Sequence, residues 1–438
     1  MKTISQKAIF VSALLAGVLT AGVPTTAMTV KATEQTATVK QDIKATPFQV
    51  KIPQEKIDFI RRRVREYQWY EPIKGSDGKS VGWRYGTNIT FMKELADYWV
   101  NNYDWRKTEA KINRFQNYRV NIDGQQLHFI VEKGSGKNPQ PLLLIHGWPY
   151  SFLSYLDVTE RLAHPDRFGR NASDGFDVVV VSVPGYGFSE APTTPVGLRA
   201  FGSRYHKLMT EVLGYKQYIV HGGDQGAISA SFMAFDYPKS VKGLHHYLVF
   251  PRHPESPYGS GQVGSNPTKA ELEFVKDEIE RFTQQSAYFN VHLTRPETLS
   301  VAMVDSPVGV ASWIVEKYYY WTDQRQRPFE KILTKNQLLD EVMLYLVTDT
   351  FRTSLWPYAA FQTEIPLLRA GQKIMVPTAI TAWPDPLNKM PPREFVERSR
   401  GNIIQWTDMP SGGHFPFYEE PKRFVDDIIT FGRSLRWF

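Results

Sequence analysis

Cysteine is absent from the 438 residues. Its absence excludes disulfides, a thiolate nucleophile and cysteine-ligated zinc, and leaves the compartment open. Long basic runs are missing too. Lys and Arg number 52 and Asp and Glu 45, so the net charge of +7 is a modest surplus spread along the chain. With no RNA- or DNA-reading motif beside it, this balance describes a mildly basic surface and argues against nucleic acid as a partner. Beyond the N-terminus no apolar run is long enough to cross a bilayer, and no internal repeat is visible.

The N-terminus has the character of a leader. Lys2 and Lys7 precede an apolar stretch over residues 8–23, and the small residues Thr25, Thr26 and Ala27 follow. This pattern predicts a secretory signal peptide over residues 1–27, cleaved near Ala27 with Ala32 as a rival site, and hence an exported protein, periplasmic or secreted. The alternative is an uncleaved membrane anchor. The stretch is short for a span and carries Gly17, Thr20 and Gly22. With the leader removed, nothing remains for stable association with a membrane. Residues 28–45 are polar and read as a linker.

Residues 46–116 are expected to be mostly helical. Ile57, Ile60, Val64 and Tyr67 recur at spacings of three and four, as do Leu95, Trp99 and Tyr103. Alternating apolar residues over 118–131, broken by Asp123-Gly124, predict a hairpin. Short apolar runs then alternate with helical stretches, and residues 141–145, 177–182, 217–220 and 244–250 read as buried strands. The strand signal vanishes over 252–366, where aromatic-rich helical segments such as 312–321 replace it, and returns at 373–383 and 402–406. The pattern predicts a doubly wound, mostly parallel α/β sheet built from residues 117–251 and 367–438. The helical insertion over 252–366 would be a cap above the C-terminal ends of the strands, where open α/β sheets place their sites.

Chemistry concentrates in three short motifs. Gly222-Gly223-Asp224-Gln225-Gly226 follows a strand and precedes the small-residue helix starting at Ala227, the context of a nucleophile elbow. An aspartate there is already charged at neutral pH and can displace a leaving group from saturated carbon, which gives an ester on the enzyme. Water must then hydrolyse that ester, which calls for a base. Among ten histidines, His414 in Ser411-Gly412-Gly413-His414-Phe415 is the candidate, because it follows the last predicted strand. The order nucleophile, acid, histidine is that of the α/β-hydrolase fold. His146-Gly147-Trp148-Pro149 follows an earlier strand, so the backbone N–H groups of Trp148 and Gln225 are candidates for an oxyanion hole.

Together these motifs resemble the epoxide hydrolases of the microsomal and juvenile-hormone-type branch, which carry an extra N-terminal domain. Trp83-Arg84-Tyr85-Gly86 and Tyr103-Asp104-Trp105-Arg106, with Asn113 after it, extend the likeness over residues 46–116, and it continues to the end of the chain. The resemblance implies an α/β-hydrolase fold with a helical cap, and conversion of an epoxide and water to a vicinal diol through an ester on Asp224. It implies no metal and no organic cofactor. Two cap tyrosines would hold the epoxide oxygen, and the matching positions are Tyr288, ahead of Thr294-Arg295-Pro296, and Tyr358 in Ser354-Leu355-Trp356-Pro357-Tyr358. Tyr318, Tyr319 and Tyr320 are expected to pack the cap helix instead. The acid that orients His414 matches Asp385 in Trp383-Pro384-Asp385-Pro386, one place earlier than usual in the family, with Glu255 as the alternative. A further departure is Gln225, where the family often has Trp or Ile. The aromatic-rich cap suggests a small apolar epoxide as substrate.

The competing reading is a haloalkane dehalogenase, which shares the aspartate nucleophile. Such enzymes bind halide through N–H donors, typically tryptophans that include the residue after the nucleophile, and Gln225 does not supply an indole. A catalytically silent binding protein of the same fold is the third reading.

Overall fold

The computed structural model describes residues 43–435. The expected leader and most of the expected linker lie outside them. Nine strands form one sheet in the order β1-β2-β3-β5-β4-β6-β7-β8-β9. Strands β1 (Thr46–Pro47), β2 (Gln116–Ile122) and β3 (Gln125–Glu132) are antiparallel, and β3 joins β5 in the same sense. The remaining pairings are parallel: β4 (Gln140–Ile145), β5 (Phe176–Val181), β6 (Tyr218–Gly222), β7 (Val241–His246), β8 (Thr378–Ala382) and β9 (Ile403–Asp408).

Local sequence explains the main elements. Asp123 and Gly124 both have positive φ, 52° and 76°, the backbone whose twist matches a two-residue hairpin. Leu142 to Ile145 and Val178 to Val181 are fully buried, because helices cover both faces of the parallel part. The expected strand over 244–250 stops at His246. On one side its partner β6 ends at Gly222, opposite His246, and on the other β8 pairs only Leu244 to His246. Past His246 the chain pairs with neither neighbour, although β8 itself runs on to Ala382.

The N-terminal region is helical over Gln54–Arg65, Ile89–Asn101 and Trp105–Asn113, but not between the first two. Pro72 and a series of glycines, of which Gly78, Gly82 and Gly86 have positive φ, interrupt the helix there. Strand β1 was not anticipated, and it adds the start of this region to the edge of the sheet. Between β7 and β8 runs a series of helices from Lys269–Gln285 to Trp356–Ala359. Thr268 with Glu271 and Thr334 with Gln337 form capping boxes that start two of them.

Candidate active site

The order of strands reverses at β4, which lies between β5 and β6. Crevices at such a reversal, outside the C-terminal ends of the strands, are where doubly wound sheets bind ligands. Ile145 and Gly222 are paired across β4 and β6, so the His146-Gly147-Trp148 loop and the Asp224 elbow leave the sheet side by side. Asp385 and His414 follow the ends of β8 and β9 on the same side.

Asp224 is the first residue of the helix Asp224–Asp236 and has φ +48°. A left-handed non-glycine residue costs about 1–2 kcal/mol, and here it turns the carboxylate out at the head of a helix whose dipole favours a negative charge. Two glycines make the turn possible. A Cβ on Gly226 would lie 2.1 Å from the Ile145 carbonyl oxygen, and one on Gly147 would lie 2.4 Å from Oδ1 of Asp224. Oδ1 accepts a 2.9 Å hydrogen bond from the Trp148 N–H. Gln225 is the second residue of the helix, where a backbone N–H has no carbonyl one turn back within the helix to bond.

His414 is fully buried. Its Nδ1 lies 2.8 Å from Oδ2 of Asp385 and its Nε2 lies 3.6 Å from Oδ2 of Asp224. Burial, the largest single influence, lowers its pKa, but the charge and hydrogen bond of Asp385 and the nearby carboxylate of Asp224 outweigh it and raise the imidazole to about 10. Asp385 is fixed in turn, since its Oδ1 accepts from the Leu387 N–H at 2.7 Å. The alternative acid, Glu255, is exposed and binds the Ser265 N–H.

The two cap tyrosines converge on the same place. The Tyr288 ring stacks on Trp148 with centroids 5.4 Å apart, and Tyr358 lies edge-on to Trp148 at 6.1 Å and to Tyr288 at 6.0 Å. Burial first, then the Asp224 charge, hold the Tyr288 phenol well above its ordinary pKa. Burial, Tyr288 and Asp224 do the same for Tyr358. Both therefore keep their protons as donors. The Tyr358 hydroxyl is buried and has no hydrogen-bond partner among the described residues, the state of a donor awaiting an acceptor. Tyr318 packs on Phe415 at 4.3 Å and Tyr319 stacks on Trp83 at 4.1 Å. Among the described residues no cluster of His, Asp and Glu could hold a metal ion.

Two supporting roles had no signal in the sequence. Burial lowers His146 to about 4, so it is neutral. Its Nε2 accepts from the Val183 N–H at 3.0 Å, which leaves the proton on Nδ1 to donate to the Gly147 carbonyl. Glu419 accepts from the Phe415 and Asp323 N–H groups at 2.9 and 2.7 Å and so ties the His414 loop to the cap. Each role depends on a contact distant in the chain, so no local motif announces it.

Comparison with known proteins follows the same lines. A profile described as "Epoxide hydrolase N terminus" matches residues 45–155, and one described as "alpha/beta hydrolase fold" matches residues 140–274. Juvenile hormone epoxide hydrolase 1 of Ctenocephalides felis is 32% identical over 91% of this chain and 87% of its own length. Epoxide hydrolase 1 of Sus scrofa is 30% identical over 89% of each. Among solved structures, the Aspergillus niger epoxide hydrolase superposes with a TM-score of 0.74 at 27% identity, covering 90% of this chain and 97% of that one.

Proposed function

The chain belongs to the epoxide hydrolases, an α/β-hydrolase-fold family that turns an epoxide and water into a diol, and on that premise we propose the part each site residue plays. Oδ2 of Asp224 attacks an epoxide carbon, the carbon–oxygen bond breaks, and the departing oxygen takes a proton from Tyr288 or Tyr358. The product of this step is an ester on Asp224. Its carbonyl oxygen is Oδ1, already held by the Trp148 N–H. Alkylation neutralises Asp224 and removes one of the charges that keep His414 protonated, so the imidazolium gives its proton to the tyrosinate left by ring opening and becomes available as a base. His414, oriented by Asp385, then takes a proton from water, and the hydroxide attacks the ester carbonyl. The N–H groups of Trp148 and Gln225 stabilise the resulting anion. Its collapse expels the diol oxygen, which takes the proton of the hydroxyl just added to the ester carbon, and leaves Asp224 ionised beside a protonated His414, as at the start.

The observation that carries this reading is the line Asp224, His414, Asp385, with contacts of 3.6 and 2.8 Å, facing two protonated phenols. The test is single turnover in heavy-oxygen water with enzyme in excess. An ester intermediate puts the label into Asp224 and leaves the first diol unlabelled. Label passing directly into the first diol would make Asp224 a general base and end the covalent reading. The aromatic lining formed by Trp148, Tyr288 and Tyr358 favours an apolar epoxide. Residues 1–27 support a separate proposal, export with removal of the leader. N-terminal sequencing of the mature protein tests it, and an intact Met1 would reject it.

A further inference from the structure

Gln225 follows the nucleophile in the chain and is buried, and two tyrosines, Tyr186 and Tyr358, neighbour its carboxamide. On one side the Tyr186 hydroxyl is 2.9 Å from Oε1 of Gln225 and 2.8 Å from the Ser354 carbonyl oxygen. On the other is Tyr358, four residues after Ser354; with Oε1 at Tyr186 it is the N–H end of the amide that faces this phenol, and it lowers the phenol's pKa by less than burial raises it. Two buried polar groups here lack hydrogen-bond partners among the described residues, Nε2 of Gln225 and the hydroxyl of Tyr358.

Counting protons settles how the amide is oriented. Tyr186 has one proton and two neighbouring oxygens. The Ser354 carbonyl has no helical donor, because Pro357, three residues on, has no N–H and the Tyr358 N–H is taken by Leu355. Tyr186 is thus the donor that satisfies Ser354, and its oxygen is left as an acceptor. The two ends of a carboxamide have nearly the same shape, so the network decides between them. Turned over, Gln225 donates an N–H to the Tyr186 oxygen and points its carbonyl oxygen to the side of Tyr358. Both unpartnered groups are then provided for.

We propose that Gln225 is a positioning residue for Tyr358: anchored by Tyr186, its side-chain oxygen accepts the Tyr358 O–H and keeps that hydroxyl turned over Asp224 until an epoxide oxygen replaces it. The inference rests on the reading of Tyr358 as a proton donor to the epoxide. It gives the side chain after the nucleophile a part in ring opening that is separate from its backbone N–H. An indole or an aliphatic side chain at this position would lack the carbonyl oxygen that takes the proton.

The test measures the two chemical steps separately, by single-turnover alkylation of Asp224 and by decay of the ester, with styrene oxide as the probe. Gln225→Met, of similar volume but with no amide, should slow alkylation about tenfold, the effect of losing one ordering hydrogen bond, and leave ester decay within about twofold. Its alkylation rate should also fall away at a different pH from that of the parent. Tyr186→Phe, which frees the amide, should reproduce the slowing. In a Tyr358→Phe background Gln225→Met should have no further effect on alkylation, because its target hydroxyl is gone. An equal slowing in both backgrounds, or an effect confined to ester decay, would overturn the proposal. If Tyr358→Phe alone alkylates at the parental rate, it is the role of Tyr358 that fails. If only that variant is slow, Tyr358 stands and the part given to Gln225 falls.

Discussion

Asp385 holds His414 through a 2.8 Å contact between Oδ2 and Nδ1, and this contact leaves Nε2 as the edge of the ring that faces Asp224. The flanking Pro384 and Pro386 restrict the backbone around Asp385, and the Leu387 N–H bonds its other oxygen. A carboxylate fixed in this way sets the tautomer and plane of the imidazole without touching the substrate.

His414→Gln should therefore open the epoxide and then stall, since the base is needed only for the second step. Intact-protein mass spectrometry should find the variant heavier by one epoxide, with the adduct on Asp224. Asp385→Asn should accumulate less of the same adduct, because an unoriented imidazole still works slowly. No adduct on His414→Gln would place the histidine in ring opening.

Removing either phenol should leave the other to protonate the departing oxygen. Tyr288→Phe and Tyr358→Phe should each slow alkylation, and the double variant should lose most of the factor of about 10²–10⁴ that a positioned acid contributes. Parental alkylation by the double variant, followed by stopped-flow fluorescence, would remove both residues from the mechanism.

The raised pKa of His414 also has a consequence for stability. In the unfolded chain the imidazole titrates near its ordinary value of about 6.5, and in the folded chain near about 10. The folded state binds this proton more tightly, so the stabilisation is complete below about pH 6.5 and is lost as the pH rises through about 10. The stability difference between the parent and His414→Phe, read from urea unfolding, should shrink between about pH 6 and about pH 10. A difference that grows over that range would contradict the assignment.

Glu419→Gln should loosen the catalytic loop. The carboxylate accepts two backbone N–H groups through its two oxygens, and an amide offers only one acceptor. Because burial raises Glu419 to about 7, the carboxylate is fully formed only above neutral pH. The variant should lose ester hydrolysis by about tenfold, as for one hydrogen bond to a charged group, with alkylation little changed. Equal loss in both steps would point to general unfolding.

The parallel strands, the hairpin and the three candidate-site motifs were legible in the sequence because each is written in consecutive residues: apolar runs, Asp123-Gly124, Gly222 to Gly226. Strand β1 was not, since Thr46 and Pro47 acquire strand character only from pairing with Arg119 and Tyr118. The early end of β7 escaped notice for a related reason, because residues 247–250 are apolar enough for a strand but pair with neither neighbour. Asp385 could be picked out as the one carboxylate of its loop. Tyr186 and Glu419 could not, as each is defined by a partner far along the chain, and the neutral state of His146 could not, as it comes from burial in the folded core.

The short strand at Thr46 joins the N-terminal region to the sheet, while the Trp83–Tyr319 stack at 4.1 Å and the 2.8 Å bond from Tyr103 to Asp340 fasten the same region to the insertion. Mechanically, this is a bolted hatch and not a hinged one. A rigid-body swing of the insertion would have to break contacts more than 200 residues apart in sequence, so local side-chain movement is the less costly route for substrate and product.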